Sequence, residues 1–210
     1  MQARTITIAQ QKGGSGKTTI TVNLALAFRD RGLKVALLDS DPQGSLGRWF
    51  MLRRERMGDP GLEFCTASAW GVSYECEKLR RQADVVLVDT PPKVDADLRP
   101  ALRQADLVLV PVAASHVDLW ATEGVIDLAL RERRRGLIVL NRMTAGTRLS
   151  AEVAAAAAGL DADVAAAQLA HRTAFAESLG QGSGVTEGAR NSAAAREIRR
   201  LAEEVLARMG

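Results

Sequence analysis

Short, uninterrupted apolar runs alternate along the chain with longer segments of helical length. Val85-Val86-Leu87-Val88 and Leu107-Val108-Leu109-Val110 are apolar at every position. A strand with one wet face would alternate apolar with polar residues. These runs therefore predict strands covered on both faces, as in a parallel sheet between helices. Strands are predicted at Arg4–Ala9, Lys34–Asp39, Glu63–Thr66, Asp84–Asp89, Leu107–Val112 and Leu137–Asn141. Helical segments lie between them at Lys17–Arg31, Trp70–Gln82, Asp95–Gln104 and Asp118–Arg134. This βαβα rhythm predicts an α/β fold, a doubly wound and mostly parallel sheet with helices on both faces. No linker or internal repeat interrupts it, so residues 1–210 are expected to form a single domain.

The stretch after residue 150 gives two answers. Ala154–Ala158 favours helix and Gly159 could end it. Asp163–Ala170 also leans helical by propensity, whereas the rhythm calls for another strand. Ser192–Met209 places Ile198, Leu201, Val205, Leu206 and Met209 at helical spacing, an amphipathic helix packed on the domain.

Composition narrows the class. The 47% apolar and 25% charged residues are globular values, which excludes wholesale disorder. The net charge of +3 is too mild to demand a nucleic-acid partner. Residues 131–210 hold 12 Arg against 9 Asp and Glu, so the surplus lies there; a GC-rich genome would produce the same bias. No apolar stretch is long enough for a membrane span. Met1-Gln2-Ala3-Arg4 runs straight into a strand rather than a signal peptide, so a cytoplasmic location is expected. Cys65 and Cys76 are read as free thiols.

The candidate chemistry follows the first strand. In Lys12-Gly13-Gly14-Ser15-Gly16-Lys17-Thr18-Thr19 the Gly16-Lys17-Thr18 portion fits a phosphate-binding loop, although Gln11 stands where that pattern has its first glycine. Glycines let successive N–H groups curl around phosphate oxygens, and a helix N-terminus adds its dipole. Lys17 is expected to reach the β- and γ-phosphates, Thr18 to ligate Mg²⁺ and Thr19 to contact the α-phosphate. Lys12 lies on the outer lip, free to solvate or to reach a nucleotide on another subunit. Asp39 and Asp41 follow the second strand, and Asp89 follows Val85–Val88. Ligands of parallel sheets bind beyond the strands' carboxyl ends. By alternation, Asp39 and Asp41 are expected to share a side and face the loop. Asp39 and Asp89 are read with Thr18 as metal-binding, and Asp41 as polarising the attacking water.

With Asp39-Ser40-Asp41-Pro42-Gln43-Gly44 and Val88-Asp89-Thr90-Pro91-Pro92, the loop resembles the ParA/MinD family of deviant Walker A ATPases, nearest the small ParA type without an N-terminal helix-turn-helix. The resemblance implies a P-loop NTPase fold, ATP and Mg²⁺ as cofactors, and a homodimer with two sandwiched nucleotides. It implies that Lys12 crosses to the partner's ATP, that Asp41 activates water, and that Asn141-Arg142 lies at the adenine. It further implies sequence-independent DNA binding through Arg172, Arg196, Arg199 and Arg200, nucleoid association, and a ParB-like or other cargo adaptor that stimulates hydrolysis. The plainer reading of those arginines is pairing with Glu197, Glu203 and Glu204 on a solvated helix face. A MinD-like membrane switch is the alternative, but the acidic, aromatic-free end Glu203-Glu204-Val205-Leu206-Ala207-Arg208-Met209-Gly210 is poor membrane chemistry.

Overall fold

The computed structural model describes residues 3–93 and 98–209. Both fully apolar runs are strands, among β1 Arg4–Ile8, β2 Val35–Asp39, β3 Glu63–Thr66, β4 Val85–Asp89, β5 Leu107–Ala113, β6 Gly136–Asn141 and β7 Asp163–Val164. They form one all-parallel sheet in the order β3-β2-β4-β1-β5-β6-β7. The helices are α1 Lys17–Arg29, α2 Ser45–Met57, α3 Gly71–Arg80, α4 Leu98–Gln104, α5 His116–Arg131, α6 Arg148–Ala157, α7 Thr173–Leu179, α8 Val185–Gly188 and α9 Ala193–Met209. The first residues of the expected helix Asp95–Gln104, with Met1, Gln2 and Gly210, lie outside the described residues.

Alternate strand residues feed opposite cores. Ile6, Ile8, Leu37, Val85, Leu87, Leu109, Leu137 and Val139 pack with α1, α2, α8 and α9. On the other face Val108, Val110, Val112, Ile138 and Leu140 meet α4, α5 and α6, while Ala36, Leu38, Val86 and Val88 meet α3. Each fully buried Leu, Ile or Val side chain contributes roughly 1.5–3 kcal/mol. The doubly wound sheet is therefore sealed on both faces, leaving its carboxyl-end loops to carry chemistry.

Around residue 163 the strand rhythm wins over helix propensity. Ala165, Ala167 and Leu169 are buried while Ala166 and Gln168 are exposed, a period of two. Ala165 N–H donates to Ile138 O, Leu169 N–H to Leu140 O, and Met143 N–H to Leu169 O, prolonging the sheet edge beyond β7. Glu204 of α9 accepts the Ala166 and Ala167 N–H groups, and Glu197 accepts that of Ala170. This edge is thus satisfied by carboxylates rather than by another strand.

Helix α2 is absent from the sequence expectations. Its buried residues Leu46, Trp49, Phe50 and Arg53 stand at i, i+3, i+4 and i+7, and the fourth is an arginine. Arg53 is 1% exposed. Its guanidinium donates to both Glu187 oxygens at 2.8 Å and to Gly182 O at 3.1 Å, and lies over the Trp49 ring. Trp49 Nε1 donates to Ser183 O. A Cβ on Gly182 would come within 2.7 Å of the Arg53 backbone nitrogen, so the segment 180–184 lies directly on α2.

Candidate functional site

The carboxyl ends of β1, β4 and β2 lie side by side, with Ile8 and Asp39 both in register with Asp89. The chain leaves β1 through residues 9–16 and turns into α1 at Lys17. Gly14 at φ 79° and Gly16 at φ 96° make that turn in the left-handed region. No side chain caps α1, so its first-turn N–H groups are left for a ligand. Gln10 braces the start of the loop: its Nε2 donates to Pro111 O and Thr122 Oγ1, and its Oε1 accepts Gln11 N–H.

A cavity of about 510 Å³ opens over the loop, lined by Gly13, Gly14, Gly16, Lys17, Thr18 and Thr19, with Asp41, Arg48 and Trp49 on one flank and Arg142 on another. Lys17 is buried. Its Nζ donates to two backbone carbonyls, Gln10 O at 3.0 Å and Lys12 O at 3.5 Å, and it forms no ion pair among the described residues. Burial lowers its pKa against the pull of Asp89 and Asp41. Ser15 Oγ, in the same loop, is buried without a partner. A buried cation and an unsatisfied hydroxyl beside an uncapped helix fit a polyphosphate.

Thr18 Oγ1 donates to Asp89 Oδ2 at 2.6 Å. Burial, reinforced by the charge of Asp39, pushes the Asp89 carboxyl up to about 7, against the Thr18 hydrogen bond and Lys17. Asp41 lines the cavity while its Oδ1 accepts Gln43 N–H. Asp39 departs from expectation. Its Oδ1 accepts Asp41 N–H at 3.0 Å and its Oδ2 accepts Gly47 N–H at 2.9 Å. It is 2% exposed and does not line the cavity with Asp41. β2 ends at Asp39 with the ladder bond from Ser40 N–H to Asp89 O, and the Asp39 carboxylate is then engaged by backbone N–H groups of the turn and of α2; Asp39 and Asp41 share a neighbouring hollow instead of the one over the loop. Burial raises the Asp39 pKa despite those backbone donors.

Asn141 is also occupied. Its Nδ2 donates to Ser15 O at 2.7 Å, and its Oδ1 accepts Arg142 N–H. A Cβ on Gly16 would lie 2.4 Å from that Nδ2. The amide that the resemblance assigns to adenine therefore braces the loop. Arg142, left-handed at φ 53°, lies on the cavity wall.

Lys12 is held within its own chain. Its Nζ contacts Asp118 Oδ2 at 2.5 Å, and that carboxylate is 4% exposed. Asp118 lies in the first turn of α5, which begins at His116, ahead of the expected start. Sequence reasoning missed Asp118 and Gln10 as site residues. The available signal was an acid near the start of a helix that follows a buried strand.

The four expected DNA-contact arginines are unequal. Arg172 is engaged by Glu197 through its Nε at 3.1 Å and a terminal nitrogen at 2.6 Å. Arg196 donates to Asn191 O and Arg199 to Arg190 O, and neither guanidinium pairs with a carboxylate among the described residues. Arg200 is exposed. Cys65 and Cys76 are free, and burial first, aided by Glu75, pushes Cys65 up to about 12; burial does the same for Cys76. Among the described residues no helix is long and apolar enough to cross a membrane.

A parallel sheet whose central strand ends in this loop, with a lysine buried at the turn, is the fold of the phosphate-loop nucleotide-binding proteins. Within that class the chain belongs to the family described as the CobQ/CobB/MinD/ParA nucleotide binding domain, whose model matches residues 6–185. It is thereby placed among ATPases of the ParA/MinD type. It is 33% identical to the chromosome-partitioning ATPase Soj of Thermus thermophilus, across 99% of this chain and 97% of that protein. Identity to the maintenance of carboxysome distribution protein A of Halothiobacillus neapolitanus is 28%, across 98% and 97%. Among solved structures it matches the Mg-ADP complex of the septum site-determining protein MinD of Pyrococcus horikoshii, with TM-score 0.82 and 22% identity over 97% of this chain and 96% of that one. Apo McdA from Cyanothece gives 0.81 and 17% over 99% and 100%. At these identities the structures establish the shared fold.

Proposed function

We propose that the chain is a positioning ATPase. It closes as an ATP-bound homodimer, holds duplex DNA of the nucleoid without sequence preference, and is released when a cargo adaptor stimulates hydrolysis. The observation that carries the nucleotide reading is Lys17, a buried ammonium with only carbonyl partners beside a cavity of triphosphate size. Relatives named for partitioning chromosomes and distributing carboxysomes support the positioning role.

The loop N–H groups, Lys17 and Thr19 bind the phosphates. Thr18 and Asp89 would hold Mg²⁺, which when bound offsets phosphate charge. Asp39 acts at one remove, fixing the turn that presents Asp41, and Asp41 accepts a proton from the attacking water. Asn141 holds the loop that Arg142 flanks. Lys12 exchanges Asp118 for the partner's triphosphate, one anion for another, so crossing leaves no unpaired cation. Arg196, Arg199 and Arg200 contact DNA phosphates, joined by Arg172 if it leaves Glu197. A MinD-like membrane role is disfavoured because α9 spends Ile198, Leu201, Val205 and Met209 in the core.

Light scattering with saturating ATP and Mg²⁺ tests the sandwich. Asp41→Ala should accumulate a dimer, while Lys12→Ala should bind ATP but remain mostly single. A monomeric Asp41→Ala protein, or a Lys12→Ala protein that dimerises and turns over like wild type, would remove the proposed switch.

A further inference from the structure

The arginine surplus of residues 131–210 divides between two ends of the molecule. Helix α9 runs antiparallel to the β7 edge: Glu197 meets Ala170, Glu204 meets Ala166, and Arg208 pairs with Asp163. Arg172, Arg196, Arg199 and Arg200 therefore lie towards the nucleotide end. Arg131, Arg133, Arg134 and Arg135 lie at the other end, where α5 stops and the chain enters β6 at Gly136.

There they meet α4. Arg103 Nε donates to Glu132 Oε2 at 2.9 Å, and Arg99 Nε lies 4.0 Å from Glu132 Oε1. The Arg134 guanidinium donates to Arg103 O, while its Nε is buried without a partner. Arg99 and Arg103 remain 49% and 60% exposed. Arg131, Arg133 and Arg135 are exposed and form no ion pair among the described residues. Six arginines from α4, the end of α5 and the turn after it thus gather at this end, where Glu132 pairs with Arg99 and Arg103; the other acids near it are Asp106, Asp127, Asp161 and Asp163, the last paired with Arg208. The end of α5 supplies roughly half a negative charge. Neither it nor Glu132 neutralises the set. Arg131, Arg133 and Arg135 are left exposed and without an ion pair among the described residues, and a polyanion would pair with them.

Planar guanidiniums pair with phosphate oxygens through two parallel hydrogen bonds. The large apolar side chain exposed in the adjoining chain is Leu130, too little to insert into a bilayer. We infer that this end of the molecule is a second DNA-binding face, which contacts the phosphate backbone of duplex DNA through Arg99, Arg103, Arg131, Arg133 and Arg135 without requiring nucleotide. In the proposed sandwich the carboxyl ends of the strands face the partner, so this face points outward in single chains and dimers alike. Its contribution is a constant basal affinity beneath the ATP-dependent one.

The test is fluorescence anisotropy with a short duplex of arbitrary sequence, across a salt series, on nucleotide-free protein. The variant combines Arg131→Gln, Arg133→Gln and Arg135→Gln, leaving Arg103 and Arg134 in place. Wild type should bind without nucleotide. The variant should lose about ten-fold in affinity at low salt, and its log–log salt slope should shrink by about 2–3. Its melting temperature, its ATP affinity and the further gain in DNA affinity on adding ATP should be unchanged. Arg199→Ala with Arg200→Ala should instead lose most of the ATP-dependent gain. Equal basal binding by wild type and the triple variant would overturn the inference. So would wild-type binding to phosphatidylserine vesicles but not to duplex. Loss of only the ATP-dependent gain in both variants would overturn this face while sparing the proposed switch.

Discussion

Gly16 shows how narrowly one residue is specified. It stands at φ 96°, and an added Cβ would collide with the Asn141 amide at 2.4 Å. Alanine there carries a left-handed backbone cost of about 1–2 kcal/mol. It must also displace the side chain that holds Ser15 O. Gly16→Ala should therefore lower the melting temperature by several degrees and abolish measurable binding of a fluorescent ATP analogue. Gly13, whose Cβ would meet nothing within 4 Å, should tolerate alanine better. Equal losses at the two positions would contradict the Asn141 contact. Lys17→Ala removes the buried ammonium itself, and ATP affinity should fall by about two orders of magnitude or more with little loss of fold.

At the scale of elements, the decisive link joins α2 to the segment before α8. Asp41 lies at the start of the loop leading into α2, and Asp39 ties that loop to Gly47. Glu187 holds Arg53 and Arg29 together, so α1, α2 and α8 share one ion cluster. Burial pushes the Glu187 carboxyl up, but the hydrogen bonds from Arg53 and Arg29 outweigh it and leave its pKa below the ordinary value. A depressed folded-state pKa gives stability that is complete above the unfolded carboxylate value of about 4.3 and is lost as pH falls through the folded value. Glu187→Gln should cost about 3–5 kcal/mol at neutral pH, because Arg53 is left buried beside an uncharged group. The gap between wild-type and variant melting temperatures should narrow below about pH 4.3. A gap that held constant into acid would mean that packing, not charge, makes the link.

For the whole molecule, the two ends of a parallel sheet divide the labour. Carboxyl-end loops gather Lys17, Thr18, Asp41 and Asp89, while the opposite end carries the exposed Arg131, Arg133 and Arg135. In the proposed cycle the ATP dimer doubles the α9 arginines along one duplex, and every phosphate they neutralise makes affinity fall more steeply as salt rises. Arg199→Ala with Arg200→Ala should weaken ATP-dependent DNA binding alike on every sequence and leave ATP binding intact. A weakening confined to particular sequences would contradict recognition of the backbone. Glu197→Gln should release Arg172 and tighten DNA binding modestly, measured by anisotropy in the ATP state; an unchanged affinity would leave Arg172 out of the DNA face.

The sequence by itself determined the strands and the phosphate loop. An unbroken apolar run has no satisfactory home but a doubly covered strand, and Gly-Ser-Gly-Lys-Thr between strand and helix is strongly constrained by local backbone chemistry. It placed Asp89, which follows such a run directly, at the strand end where Thr18 meets it. It could not determine which carboxylate lines the cavity over the loop, because the backbone N–H groups of Asp41 and Gly47 engage Asp39. Nor could it find α2, whose apolar stripe includes an arginine whose charge is met by Glu187, 134 residues away. The strand after Gly159 and the partners of Lys12 and Asn141 were likewise decided by tertiary contacts. Local propensity for alanine favours helix, and only an open sheet edge supplies the hydrogen bonds that reverse it.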